Sequence, residues 1–309
     1  MFRLIFTQLK KLLYSPLFYC SVLGVALLCM FSSIHNNLDQ TGKGDVILYC
    51  LTNYSRQKML TDISFSSFNV FCEGGNGYWM HLFIPVLVTI AAVNIYCDEG
   101  KSRERRFAIF RTGRWKYYAG NILFFLIAGA IVAGLGYLLF GLFTNVCFPH
   151  RSAYLAEELQ EYTQLKMSYD SFLGRMYAEH GMKFVYFLKL LSFCMYGMVS
   201  AVPALVLAAF VKNKYLITCI PFFIGDVLRQ ISRIIGLQRV GIDVTDEKSA
   251  RQIEHLTELS QIISPDSIAD VFALNGTMLF KIFIVNASVI VAGIILAFYI
   301  MGLGVDKGE

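Results

Sequence analysis

The sequence predicts an all-α polytopic membrane protein with six transmembrane helices, an N-terminal interfacial helix and short outer helices before the sixth span. Of its 309 residues 56% are hydrophobic and only 16% charged, with a mean hydropathy of +0.55, more apolar surface than a water-soluble domain of this size can hide. The apolar residues also fall in long runs, and a helix crossing a hydrocarbon core of roughly 30 Å needs about 20 of them. Finally, lysine and arginine gather in the segments between alternate runs, as they do on the cytoplasmic side of a bilayer. The whole chain, 1–309, reads as one transmembrane domain.

Residues 1–16, "MFRLIFTQLKKLLYSP", place Phe2, Ile5, Phe6, Leu9, Leu12 and Leu13 at helical spacing, with Arg3, Gln8, Lys10 and Lys11 on the other side. This is the pattern of a helix lying in the interface, and Pro16 ends it. Spans are predicted at 17–34, 81–97, 122–143, 184–211, 215–235 and 278–303. Lys189 and Lys281 lie near span ends, where a long side chain reaches the interface. The fifth run is short and carries Asp226, with Arg229 and Arg233 following on the same face, so it is a short crossing or a re-entrant element. Segments 1–16, 98–121 and 212–214 and the tail after Leu303 hold 13 of the 27 cations. The positive-inside rule therefore favours six spans with both termini in the cytoplasm.

The outer segments are then 35–80, 144–183 and 236–277. The second reads helical around "SAYLAEELQEYTQLKMSYDSFLGRMY". The third, "SARQIEHLTELSQIISPDSIADVF", reads as short helices interrupted at Pro265. Cys50 and Cys72 share the first outer segment, where an oxidising compartment would allow a disulfide; the other reading is two reduced thiols. The Gly-rich run "AGAIVAGLGYLLFG" in the third span spaces small residues for close helix approach.

No catalytic pattern emerges. The chain has no HExxH, no G-x-S-x-G and no C-x-x-C, and "TGKGD" at 41–45 lacks the spacing of a phosphate loop. It is therefore expected to be no enzyme and to bind no metal and no cofactor of its own; ATP-driven work would need a separate nucleotide-binding chain. Within the spans, Thr89 and Asn94 on the second and Asp226 and Arg229 on the fifth are the polar groups expected to line a pathway, because such groups are costly in lipid and face a cavity or a partner.

The segment "CDEGKSRERRFAIFRTGRWKYYAGN" carries seven cations between the second and third runs. Three uses compete: a nucleic-acid patch, a topology signal and a protein-docking surface. Beside a membrane, and diluted by Asp98, Glu99 and Glu104, the charges read as positive-inside bias rather than as a nucleic-acid site. Topology needs charge but no aromatic pair. Phe107 and Phe110, three apart and flanked by Arg103, Arg106 and Arg111, suit a short helix that inserts aromatic rings in a partner's groove.

This order of elements resembles the membrane subunits of ABC-2 type transporters, ATP-driven exporters with six spans per permease. The likeness covers essentially the whole chain and lies in layout. Asp98 and Glu99 stand where family members carry an acid at the end of the second span, "KSRERRFAIF" stands where a short helix docks on the ATPase, and "RTGRWKYYAGN" makes the aromatic return. The first two outer segments are larger than in compact members. The resemblance implies cytoplasmic ATPase subunits that carry ATP and Mg, docked at Glu99, Arg103, Glu104, Arg106, Phe107, Phe110 and Arg111. It also implies a second permease, identical or homologous, a bacterial plasma membrane, no nucleic acid, and export of a hydrophobic or amphipathic substrate such as an antimicrobial peptide, lipid or drug. Two other classes are a non-transporting sensor or scaffold whose outer loops bind a ligand or partner, and an intramembrane enzyme.

Overall fold

The computed structural model describes residues 2–34, 45–101, 104–150, 172–211, 213–238, 247–274 and 276–306. Two helices open the chain, α1 (Phe2–Tyr14) and α2 (Pro16–Met30). They meet at 71°, because Pro16 forces Ser15 out of helical geometry (φ −79°, ψ 127°) and lacks the N–H that would continue the ladder. α1 buries Ile5, Gln8 and Leu12, one face at spacings of three and four. Gln8 thus lies on the packed side and not on the polar face expected for it.

α2 spans 15 residues, about 22 Å at 1.5 Å per residue, and stops at Met30 rather than at residue 34. Ser32 takes the chain out of the helix, its hydroxyl donating to the Gly74 carbonyl (2.7 Å) and its own carbonyl accepting from Ile47 N–H (3.0 Å). A two-residue antiparallel ladder follows, β1 (Ser33–Ile34) with β2 (Asp45–Val46), a small departure from an all-α chain.

The first outer segment is more than a polar connection. Its helices α3 (Ile47–Asn53), α4 (Arg56–Met59) and α5 (Ser67–Gly74), with a 3-10 turn at Ile63–Phe65, bring buried Phe65, Phe68 and Phe71 against the bundle. Among the described residues, five long helices follow that are each apolar and long enough to cross a membrane. They are α6 (Tyr78–Lys101), α8 (Arg114–Cys147), α10 (Met182–Ala208), α11 (Lys214–Gln238) and α13 (Gly276–Asp306), and the bent α1–α2 pair brings the total to as many as six. The chain is a multi-pass membrane protein. α11 runs 25 residues without a break, about 38 Å, so the fifth run has the length of a full crossing.

Shorter helices join them. α7 (Glu104–Thr112) closes with the Gly113 N–H donating to the Ile109 carbonyl at 2.8 Å, and the φ of 82° at Gly113, open to glycine, then turns the chain out of the helix. α9 (Phe172–His180) precedes α10, while residues 151–171, most of the helix expected in the second outer segment, lie outside the described residues. α12 (Glu247–Ile263) and two single turns of 3-10 helix, Pro265–Ile268 and Val271–Ala273, precede α13, in the place expected for short helices.

The core lies where α2, α6, α8 and α10 meet. Tyr137 stacks on Phe193 at 3.8 Å between ring centres and donates its hydroxyl to the Phe71 carbonyl. Gly129 of α8 faces Gly197 of α10 so closely that a Cβ on Gly197 would sit 2.3 Å from the Gly129 carbonyl oxygen. The small residues of "AGAIVAGLG" thus bring two backbones into contact. α11 and α13 instead leave long apolar faces open, among them Phe223, Val227 and Ile234 on one and Phe280, Val291 and Ile295 on the other.

Candidate functional site

Polar groups collect at the two ends of α6. His81 and Glu99 are 18 residues apart on that helix, about 27 Å, so they stand near opposite faces of a bilayer core.

At the first end the centre is Asp266, in the turn after Pro265. Arg229 of α11 grips it with two bonds, Nε to Oδ2 at 2.8 Å and Nη2 to Oδ1 at 3.2 Å. Tyr196 of α10 donates its hydroxyl to Oδ1 at 3.3 Å, and His81 Nδ1 lies 3.5 Å from that oxygen and 3.0 Å from the Tyr196 hydroxyl. Four residues on, Asp270 pairs with Lys189 of α10, and the Ser192 hydroxyl donates to the Ala269 carbonyl at 2.7 Å. The nine residues from 265 to 273 are thereby fastened to α6, α10 and α11 by side chains. Their acids are half-exposed, whereas His81, Lys189 and Arg229 are buried. A buried charge is tolerated when paired and hydrogen-bonded, and these acids supply the pairing.

At the second end Glu99 is buried on α6, and α1 reaches it with two side chains. Lys11 Nζ lies 3.1 Å from Oε1, and Gln8 Nε2 donates to Oε2 at 3.3 Å and to Asn121 Oδ1 of α8 at 2.6 Å. Beside this knot Arg105 of α7 donates to the Tyr96 hydroxyl at 3.0 Å. Burial works against the charge of Arg105, but the phenolic oxygens of Tyr96, Tyr117 and Tyr118 around it act the other way and leave its pKa above the ordinary value. Among the described residues, Gln8 Oε1 and the hydroxyls of Tyr117 and Tyr118 are buried with no hydrogen-bond partner.

The docking residues expected from the sequence separate in this geometry. Glu99 belongs to α6 and is turned inward, so it holds α1 rather than presenting itself to a partner. Arg106, Phe107, Phe110 and Arg111 are exposed on α7, with Phe107 at 77% and Phe110 at 93%. Glu104 starts that helix, and Arg103 lies outside the described residues. Arg105, one of the seven cations read as positive-inside bias, turns inward to Tyr96.

Of the pathway candidates, Thr89 is buried and donates to the carbonyl of Pro85 (2.6 Å), and Asn94 donates to the carbonyl of Ile90 (2.8 Å); both polar groups engage their own helix. The expected Asp226–Arg229 pair is secondary. Arg229 Nη1 is 3.9 Å from Asp226, which accepts from Gln230 at 2.7 Å, while the fork of the guanidinium faces Asp266. Lys189, expected to reach the interface, is instead buried against Asp270. Cys50 and Cys72 are not joined in a disulfide.

Asp266, Asp270, His81 and Tyr196 were not singled out by sequence, and neither was Gln8 as a buried contact. A signal existed: Lys189 and Arg229 inside apolar runs need acids, and "SPDSIAD" offers two of them four residues apart. Among the described residues no group of three or more His, Cys, Asp or Glu is placed to hold a metal ion. Compared with protein-family models, characterised proteins and solved structures, the chain matches none of them.

Proposed function

We propose that this chain is the permease subunit of an ABC-2 type ATP-binding cassette exporter. It works with a second permease and two cytoplasmic ATPase subunits, and moves a hydrophobic or amphipathic substrate such as an antimicrobial peptide, a lipid or a drug. ATP and Mg belong to the ATPase subunits, and the termini and α7 face the cytoplasm of a bacterial plasma membrane. The observation that carries the reading is the nine-residue helix α7. It is set between two spans and ends in a glycine stop, with Phe107 and Phe110 turned away from the bundle and Arg106 and Arg111 beside them. Exposed aromatics rimmed by arginine are what a protein interface uses as anchors, whereas a topology signal requires only charge.

The neighbouring knot suggests how force would travel. α7 follows α6 directly, and α6 is tied at Glu99 to α1 and through Gln8 to Asn121 of α8. Movement of a partner against α7 would act on three helices together, as a two-state element requires. The open apolar faces of α11 and α13 give lipid or a second permease a surface to cover.

Purification in mild detergent with its genomic neighbours tests the reading. An ATP-hydrolysing chain should co-purify with the protein, and Phe107→Ser with Phe110→Ser should reduce its capture at least tenfold without changing the yield of the folded permease. Equal capture by this variant, or no such chain at all, overturns the proposal and favours a sensor or scaffold.

A further inference from the structure

The cluster around Asp266 divides by sign. The cations come from the bundle, Arg229 from α11 and Lys189 from α10, with His81 of α6 beside them, and each is buried. The acids that pair with them, Asp266 and Asp270, come from the single segment 265–273, whose regular structure is two short 3-10 turns. The other acids facing the cluster are Asp226, 3.9 Å from Arg229 Nη1, and Glu73, which acts on Lys189.

The carboxylate also under-fills its place. Only one of its contacts, from Arg229 Nε at 2.8 Å, has the length of a strong charge-assisted bond. Arg229 Nη2, the Tyr196 hydroxyl and His81 Nδ1 converge on the other oxygen at 3.2, 3.3 and 3.5 Å, and among the described residues Arg229 Nη1 makes no hydrogen bond, Asp226 lying 3.9 Å from it. Donors from three spans thus point at a position that a planar carboxylate meets incompletely. A tetrahedral anion with three free oxygens has the shape to meet the guanidinium fork, the phenol and the imidazole together. Were the segment lifted, Arg229 and Lys189 would be left without their two paired acids, a deficit that a phosphate group of nearly two negative charges matches.

We propose that residues 265–273 are a tethered acidic plug, and that Arg229, Tyr196 and His81 beneath it form a binding site for a phosphate group, with Lys189 as a second cation along α10. Asp266 is the built-in competitor: the segment seats when the site is empty and lifts when phosphate takes its place. The phosphate belongs either to a free anion or to a lipid whose headgroup is a phosphate monoester. The site stands independently of any ATPase partner.

The test uses the full chain in phosphatidylcholine nanodiscs, with Ser267→Cys as a reporter on the plug, read by peptide mass spectrometry so that the 8 native cysteines are distinguished. Maleimide labelling at 267 should rise severalfold and saturate with inorganic phosphate, and should stay flat with chloride at the same ionic strength. If the source is lipid, phosphatidic acid, whose headgroup is a phosphate monoester, should raise labelling in the nanodisc without added phosphate, and the diester phosphatidylglycerol should not. Asp266→Asn with Asp270→Asn should bind phosphate at least tenfold more tightly than the parent, and Arg229→Gln in that background should abolish the gain. Labelling that responds to neither phosphate nor phosphatidic acid overturns the proposal, as does a gain that survives Arg229→Gln. Should the double variant fail to fold, the labelling of Ser267→Cys in the otherwise unchanged chain decides alone.

Discussion

The two ends of α6 handle charge in opposite ways. At the Asp266 end, buried cations from α10 and α11 meet acids on a short segment, and the bonds close over the bundle. At the Glu99 end the acid is the buried partner, its cation Lys11 is 42% exposed on α1, and three buried polar atoms nearby have no hydrogen bond. One end is fastened by several paired charges from different helices; the other is held by a single pair and adjoins an exposed aromatic helix. The difference teaches where each end gains its stability: the first from several paired charges made within the chain, the second from one partly solvated pair and the hydrogen bonds of Gln8.

Substitutions should rank accordingly. Arg229→Ala leaves Asp266 without its bidentate partner; breaking a fully buried pair costs about 3–5 kcal/mol, and the partial exposure of Asp266 places the loss at or below the lower end of that range. A large fall in the thermal midpoint in detergent is expected, and the double variant Arg229→Ala with Asp266→Ala should lose less than the two singles added together. Strict additivity would mean that the pair does not hold the segment. Tyr118→Phe works in the other direction. It removes a buried hydroxyl with no partner, whose desolvation costs about 1–3 kcal/mol, so the midpoint should stay level or rise; a fall would reveal a hydrogen bond at that hydroxyl.

Lys11→Ala removes a half-exposed partner, and because solvent screens such a pair the loss should be at most about 1 kcal/mol. A loss as large as that of Arg229→Ala would erase the contrast between the two ends. The smallest effect is expected for Phe107→Ser with Phe110→Ser. Surface changes stay within about 0.5 kcal/mol, so any loss of partner capture by that variant reports on binding and not on folding.

The long elements were legible because their signal is local. Apolar runs gave α6, α8, α10, α11 and α13, Pro16 gave the bend, and "SPDSIAD" gave short turns before the last span. Ends were less legible. α6 runs on through Glu99 and α8 begins at Arg114, since a helix does not stop where hydropathy falls. The first outer segment was read as polar, although Phe65, Phe68 and Phe71 recur every three residues and mark its buried face. Pairings across the fold were the least visible. Asp226 is three residues from Arg229 and seemed its natural partner, whereas Asp266 is 37 residues away and wins through the direction of the guanidinium fork, which sequence does not encode. Gln8 sat among lysines and looked solvated; only the packing of α1 on α6 and α8 puts it inside.

Native mass spectrometry of the protein released from mild detergent tests the central claim most directly, because it counts chains. The account predicts an assembly of two permeases with two ATP-hydrolysing subunits, which loses those subunits but keeps the permease intact when Phe107 and Phe110 are serine. A protein that flies alone, or that keeps its partners without those two rings, would contradict it.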